Sequence, residues 1–509
     1  MLAKVISGAI QGIDGYIVEV EVDLSRGMPM FELVGLPDSA VKESKDRVRT
    51  AIKNTGYQFP VKRITVNLAP ADTKKEGPAY DLPIALGILT CMGIITPDAL
   101  KGIFFAGELS LDGSIRQVTG VLPMALAAKK AGYTRAVLPR ENAEEAALVS
   151  QMDIMGADGL GELIRRVNAG EWARTNVNPA EMFTTEREHA LDFSEVKGQT
   201  AVKRALTVAA AGFHNIILIG PPGSGKTMMA KRLLGILPGL TLDESLEVTK
   251  IYSISGLINN RKALITTRPF RAPHHTASTA SLAGGGRHPK PGEISLAHNG
   301  VLFLDELPEF KKTALEALRQ PLEDREITIS RVGGAYTYPC FFLLAASMNP
   351  CPCGYYGASD RCHCTINEIT KYLSKISGPM LDRIDIQVEA PFVNYSALQT
   401  SQPAITSAQI RAQVTAAVEI QRQRYVNQNI RFNSQLTASQ IEAYCPLAAE
   451  EEELMRKAFD RMNLSARAYH KCLRLARTIA DLDGSDQIFS NHLAEAIQYR
   501  SLDRIKGNL

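Results

Sequence analysis

Residues 220–227 read Gly220-Pro221-Pro222-Gly223-Ser224-Gly225-Lys226-Thr227, and few octapeptides restrict a fold so tightly. The apolar run Ile216-Ile217-Leu218-Ile219 before them reads as a buried strand, and Met228 to Leu234 after them has helical spacing. Strand, glycine loop and helix in that order make a phosphate-binding loop. The glycines let backbone N–H groups converge on phosphate oxygens, Lys226 reaches the β and γ oxygens, and Thr227 offers a hydroxyl to Mg²⁺. From Phe193 to about Phe392, strand and helix patterns alternate around this loop, as a parallel α/β sheet requires.

Two further strands complete a site for nucleotide chemistry. Val301-Leu302-Phe303-Leu304 ends in Asp305 and Glu306 about 80 residues after the loop. Asp305 is placed to hold Mg²⁺ through water, and Glu306 to polarise the attacking water as general base. Phe341 to Ala346 ends in Ser347-Met348-Asn349, whose amide either orients that water or forms a turn before Pro350. Arg383, in Leu381-Asp382-Arg383-Ile384-Asp385, is a candidate for an arginine offered to a neighbouring subunit's γ-phosphate; the alternative is a salt bridge to Asp382 or Asp385. Arg467 opens a helix that also carries Lys471, Arg474 and Arg477; Arg467 is expected to reach the nucleotide, and the other three to form a basic solvent face.

At 509 residues the chain exceeds what one core supports. The expected division is an α+β domain at 1–165, a polar linker at 166–192, an α/β core at 193–400 and a helical lid at 401–509. In the first domain, Tyr16 to Val22 alternates as a strand, Asp38 caps a helix running to Asn54, and strands are expected at Arg63–Asn67, Ile103–Ala106 and Ala136–Leu138. The longest apolar run, Ile84 to Ile95, falls short of the ~20 residues of a membrane span and reads as a core helix. The N-terminal stretch fits no secretory signal, so a cytoplasmic protein without membrane contact is expected.

Four of the eight cysteines are bunched as Cys351-Pro352-Cys353 and Cys362-His363-Cys364. Two close thiol pairs across a tight loop suit structural Zn²⁺, with His363 able to replace one ligand; reduced thiols without metal are the alternative.

The net charge of +3 neither demands nor excludes nucleic acid, so any such contact must come from local patches. Residues 261–290 hold six Lys and Arg and no acid, including Arg268, Arg271, Arg287 and Lys290, with His274, His275 and His288 added. Residues 326–338 read as a hairpin turning at Gly333-Gly334, with Arg331 and Tyr336 beside the turn. These segments suit sequence-independent contact with branched or single-stranded DNA, or packing at subunit interfaces.

Together the motifs resemble the magnesium-chelatase-like branch of AAA+ ATPases, and over nearly the whole chain the bacterial ComM/YifB competence family. The segments Arg268 to Thr276, Gly292 to Gly300 and Asn349 to Gly354 carry that resemblance. It implies Asn349 as sensor 1, Arg383 as the finger, Arg467 as sensor 2, a hairpin before sensor 1 that points into the ring channel, and a homo-hexamer that hydrolyses ATP with Mg²⁺. It also implies DNA branch migration during integration of transforming DNA, with recombination proteins as further partners. A chelatase-type motor subunit and a protein remodeller are the alternatives. Residues 67–145 resemble the Lon-type protease domain with its ribosomal-S5-like fold, through Lys74 to Pro78 and Gly107 to Gly113. The nucleophile position is Ala79 and the base position falls on or near Leu122, so peptide hydrolysis is not expected.

Overall fold

The computed structural model describes residues 2–183, 191–258, 263–286, 289–331, 334–357, 361–392 and 405–500. The side chain of Arg331 and all of Gly333, Arg287, His288 and Arg261 lie outside that description. The chain forms two compact units. The first comprises residues 1–185, 241–266 and 330–338, and the second comprises 186–240, 267–329 and 339–509.

The first unit is built on a seven-stranded mixed sheet. Its strands are β1 (Leu2–Gln11), β2 (Asp14–Ser25), β3 (Met30–Val34), β4 (Arg63–Ala69), β5 (Ile103–Phe105), β6 (Arg135–Pro139) and β7 (Asp153–Ala157), in the spatial order β3-β4-β2-β1-β5-β6-β7. Period-two alternation drives β2: Val18, Val20, Val22 and Leu24 are buried while Glu19, Glu21 and Asp23 face outward. Asp38 accepts from the Val41 N–H at 2.8 Å and caps a short helix, after which Ser44–Asn54 continues. The apolar run beginning near Ile84 forms the helix Asp81–Cys91, every residue of which is buried. Leu122 is fully buried and Ala79 packs against the same apolar cluster, so both positions serve the core.

Two stretches fall elsewhere than the sequence pattern suggests. Residues 172–183, read as linker, lie against this unit: Thr175 N–H donates to the Ile154 carbonyl at 2.7 Å, and Trp172, Val177, Met182 and Phe183 pack on its core. Helix Leu242–Ile254, expected within the α/β core, also belongs here, because Leu246 and Leu264 join an apolar cluster with Met124 and Ala125 of helix Val121–Lys130. A polar anchor supports the packing. The buried carboxylate of Glu145 accepts from Ser253 Oγ at 2.5 Å, the Leu122 N–H at 3.1 Å and Asn142 Nδ2 at 3.3 Å, and Gly120 N–H donates to the Ser253 carbonyl at 3.1 Å.

The second unit contains a five-stranded, all-parallel sheet of β8 (Ile216–Ile219), β9 (Phe270–Arg271), β10 (Val301–Leu304), β11 (Leu343–Met348) and β12 (Ile386–Glu389), ordered β9-β10-β11-β8-β12. The four longer strands are buried almost throughout, the pattern of a sheet covered on both faces. Helices Ser407–Arg424, Ala438–Tyr444, Ala449–Met462, Ala466–Leu482 and Ser490–Gln498 follow, and their apolar faces share one continuous core with helix Thr200–Gly212 and the sheet.

The basic solvent face expected on helix Ala466–Leu482 is a correction. Lys471 and Arg477 are buried, Lys471 against Asp385 at 3.1 Å and Arg477 against Asp481 at 3.0 Å. Asp481 also accepts from Arg424 and from Asn433, forming a satisfied internal network.

Burial pushes the Glu145 carboxyl above the usual carboxylate range, against three donors that pull it down. Its contribution to stability is therefore complete below the unfolded value of about 4.3 and is lost as pH rises through the folded value. Glu145→Gln keeps an accepting oxygen without the charge, so its stability should gain on the parent chain as pH climbs from about 4 to about 8. Denaturation followed by the fluorescence of Trp172, the chain's single tryptophan, reports on this unit. A variant-minus-parent difference that does not change with pH would refute the assignment.

Candidate nucleotide site

Register gathers the site. Ile219 pairs with Met348 and Leu304 with Ala346, so the carboxyl ends of β8, β10 and β11 deliver Gly220, Asp305 and Asn349 to one edge of the sheet. Gly223 and Gly225 have φ of 80° and 83°, left-handed values that a side chain resists, and helix Lys226–Ile236 starts directly after them. The Lys226 ammonium donates to the carbonyls of Gly220 at 2.7 Å and Pro221 at 2.9 Å, and to Asn349 Oδ1 at 3.2 Å. Burial pulls Lys226 below its ordinary range, with Asp305 and Glu306 opposing that shift. Thr227 Oγ1 donates to Asp305 Oδ2 at 2.7 Å. These hydroxyl and carboxylate oxygens fit the hard donor set that Mg²⁺ takes beside nucleotide phosphates.

Two members of this cluster, Ser347 and His275, do not stand out in the sequence. Ser347 Oγ, fully buried one strand away, donates to Asp305 Oδ1, and the Glu306 N–H points at the same carboxylate oxygen at 3.1 Å. Ser347 sits two residues before Asn349 on the strand that flanks β10, which was the available signal. His275 Nδ1 lies 3.5 Å from Glu306 Oε2. Glu306 itself holds a left-handed backbone, φ 52°, a strained conformation for a residue with a side chain.

Arg383 and Arg467 stand elsewhere. Ile386 pairs with Ile216 and Glu389 with Ile219, so Arg383 precedes the amino end of β12, at least the ~10 Å length of β8 away from the loop edge. Its guanidinium pairs with neither Asp382 nor Asp385. Arg383 Nη2 meets Glu323 Oε1 at 2.6 Å, Nε donates to the Arg319 carbonyl at 3.0 Å, and Nη1 donates to the Pro379 carbonyl at 2.5 Å. Arg467 approaches the same Glu323 oxygen at 3.9 Å and is 65% exposed. Asp385 is held instead by Lys471 and by the Asn215 N–H.

The candidate DNA residues separate. Arg268 is buried and donates to the carbonyls of Pro238, Asn299 and Gly239, so it is a structural clamp and, contrary to the expectation from sequence, does not face DNA. Arg271 forms a two-pronged pair with Glu293 at 2.6 and 2.7 Å. Lys290 is exposed on a short strand, Lys290–Pro291, and Tyr336 is half-buried on strand Gly334–Pro339. Arg287 lies outside the described residues, as does the side chain of Arg331.

The four bunched cysteines do converge: their sulfurs all lie within 4.8 Å of one another. Cys353 and Cys362 are 3.7 Å apart and Cys351 and Cys362 3.8 Å apart, close to the ~3.8 Å edge of a tetrahedron with Zn–S bonds of ~2.3 Å. The Tyr355 N–H, followed by the Cys351 thiol, draws the Cys353 thiol down to about 6, whereas the neighbouring Cys353 and Cys351 push the Cys362 and Cys364 thiols up. The loop abuts the phosphate loop. Gly354 has φ 89°, and a Cβ there would stand 2.6 Å from Pro222 Cδ.

Three family models cover most of the chain: "Magnesium chelatase, subunit ChlI" matches residues 192–398, "Subunit ChlI of Mg-chelatase" residues 20–142, and "Magnesium chelatase, subunit ChlI C-terminal" residues 404–500. The chain is 46% identical to the competence protein ComM of Haemophilus influenzae across 100% of this chain and 99% of that protein. It is 42% identical to the protein YifB of Escherichia coli across 99% of this chain and 98% of that one. Similarity to the magnesium-chelatase 67 kDa subunit of Chlorobaculum parvum is 25%, over 31% of this chain and 23% of that subunit.

Gly354→Ala is expected to weaken ATP binding roughly tenfold, since the new methyl must push the Pro222 wall aside and also occupy a left-handed backbone. Equilibrium titration with a fluorescent ATP analogue measures it; unaltered affinity would contradict the shared wall. Metal analysis of the purified chain should give about one zinc per chain, lost in a Cys351→Ser, Cys364→Ser variant. Equal metal content in that variant would exclude the thiols as ligands.

Proposed function

The chain belongs to the ComM/YifB family of magnesium-chelatase-like AAA+ proteins, and on that premise we propose that it is an ATP-driven hexameric motor acting on branched or single-stranded DNA, of branch-migration type. One observation carries the ring: the phosphate loop and the two candidate arginines occupy opposite edges of one parallel sheet, so a single chain cannot close them on one nucleotide. A second subunit, presenting its arginine edge to the loop edge of the first, completes the site.

Within that site the chain's own groups divide the work. The backbone N–H groups of Gly223, Gly225, Lys226 and Thr227 and the Lys226 ammonium hold the phosphates. Asn349, already within reach of Lys226, orients the attacking water, and Glu306 takes its proton. Thr227 and Asp305, already in contact, would hold Mg²⁺, which would supply positive charge to the phosphate oxygens. Arg383 and Arg467 offset charge on the neighbour's γ-phosphate, and because both address Glu323 they act together and in trans. The thiol cluster holds a structural zinc. Support for DNA as substrate is that the Haemophilus relative is a competence protein, together with exposed Lys290. The chelatase family models favour a second reading, a motor subunit for a protein partner.

DNA separates the two. Four-way-junction or forked DNA should raise the ATPase rate several-fold and the junctions should be resolved in an ATP-dependent manner; a rate unchanged by every DNA tested overturns the DNA motor. Glu306→Gln should retain ATP and DNA binding while losing turnover by about 10²-fold or more. Lys226→Ala and Arg383→Ala chains, each inactive alone, should recover part of the ATPase when mixed, because a mixed ring holds intact composite sites. Absence of recovery in mixed oligomers excludes action in trans.

A further inference from the structure

At the arginine edge of the second unit a cavity of about 360 Å³ opens. It lies between helix Arg319–Asp324, the start of helix Ala466–Leu482 and the aromatic pair Phe213 and Phe341, whose rings stack at 4.7 Å. Five Lys and Arg side chains line it against three carboxylates. Two of the three carboxylates are committed, Glu323 to Arg383 at 2.6 Å and Asp385 to Lys471 at 3.1 Å.

Two guanidiniums are left over. Among the described residues, neither Arg325 nor Arg474 makes a side-chain hydrogen bond or ion pair, and Arg474 Nε is fully buried without a partner. Arg325 lies over the Phe341 ring at 5.3 Å, on a left-handed backbone with φ 60°. Burial pulls both groups below the usual guanidinium range, and the charge of Arg474 adds to the effect on Arg325. An unpaired, partly buried cation costs free energy, and two facing one cavity cost more.

We infer that this cavity is an anion site, in which Arg325 and Arg474 together receive a phosphoryl group. Two guanidiniums supply a double positive charge in forked donor geometry, which matches a dianionic phosphate better than a singly charged carboxylate. The phosphoryl group comes either from free inorganic phosphate or from the terminal phosphate of a nucleotide; the recognition chemistry is the same. The site is separate from the phosphate loop, but Arg383 and Arg467 line the same cavity, so the inference rests on and deepens the reading of that edge as the arginine side of the motor.

The test uses the full chain carrying Lys226→Ala, which removes the phosphate loop from the measurement, so failure here leaves the ATPase reading untouched. Melting is followed by calorimetry in potassium phosphate, ADP or ATP against potassium chloride of equal ionic strength. Phosphate is expected to raise the melting temperature of the second unit by a few degrees, and that rise should shrink by more than half in Arg325→Gln and in Arg474→Met. Without anion, both variants should melt at or above their parent, because an uncompensated cation has been removed. A response to the nucleotides and not to phosphate, lost in the same variants, assigns the nucleotide as source; equal responses assign free phosphate. The proposal is overturned if the variants keep the full rise, if no anion raises the parent's melting temperature, or if the variants melt well below the parent in chloride.

Discussion

Parallel pairing of all five strands in the second unit sorts its chemistry to two opposite edges. Strand tips at the carboxyl edge bring a lysine, a threonine, an acid pair and an amide to one point although they lie 123 residues apart in sequence. The amino edge collects cations. The phosphate loop and Arg383 therefore lie at opposite ends of the same parallel strands within one chain. At that edge Arg467 is exposed to solvent, whereas Arg383 is held by Glu323 and two carbonyls.

Buried charge is the second theme. Asp481 sits among Arg424, Arg477 and Asn433, and Asp385 between Lys471 and the Asn215 N–H, each with its lone pairs met. Such networks contribute little net stability compared with apolar packing, but they tolerate only one arrangement. They fix the first of the long helices of the lid to the last, and the lid to the start of β12. Arg268 does a related job with neutral acceptors, tying the end of the phosphate-loop helix segment at Pro238 and Gly239 to the turn at Asn299.

Much of this was legible in the chain. The loop at 220–227, the acids after β10 and the amide after β11 are local signals, because each is a strand followed at once by its functional residue. The cysteine cluster was legible for the same reason, two pairs within fourteen residues. What stayed hidden depends on partners distant in sequence. Ser347 reads as an ordinary strand residue until register sets it against Asp305. Arg268 and Lys471 read as surface cations because a guanidinium or ammonium says nothing about which carbonyls it will meet. Helix Leu242–Ile254 continues a helical pattern from the phosphate-loop region, and nothing local says that Ser253 will find Glu145, 108 residues earlier. The Asp at i+4 from Arg477 was a visible hint that the helix face carrying it is paired.

Gly354 joins two features that the sequence presents as separate. Its backbone lies so near Pro222 that only a hydrogen fits between them, which makes the thiol-bearing loop one wall of the phosphate loop. Residues 351–354 and 220–223 thereby share one packed boundary. For this protein, a change at the four sulfurs and a change at the phosphate loop therefore meet at one contact, Gly354 against Pro222.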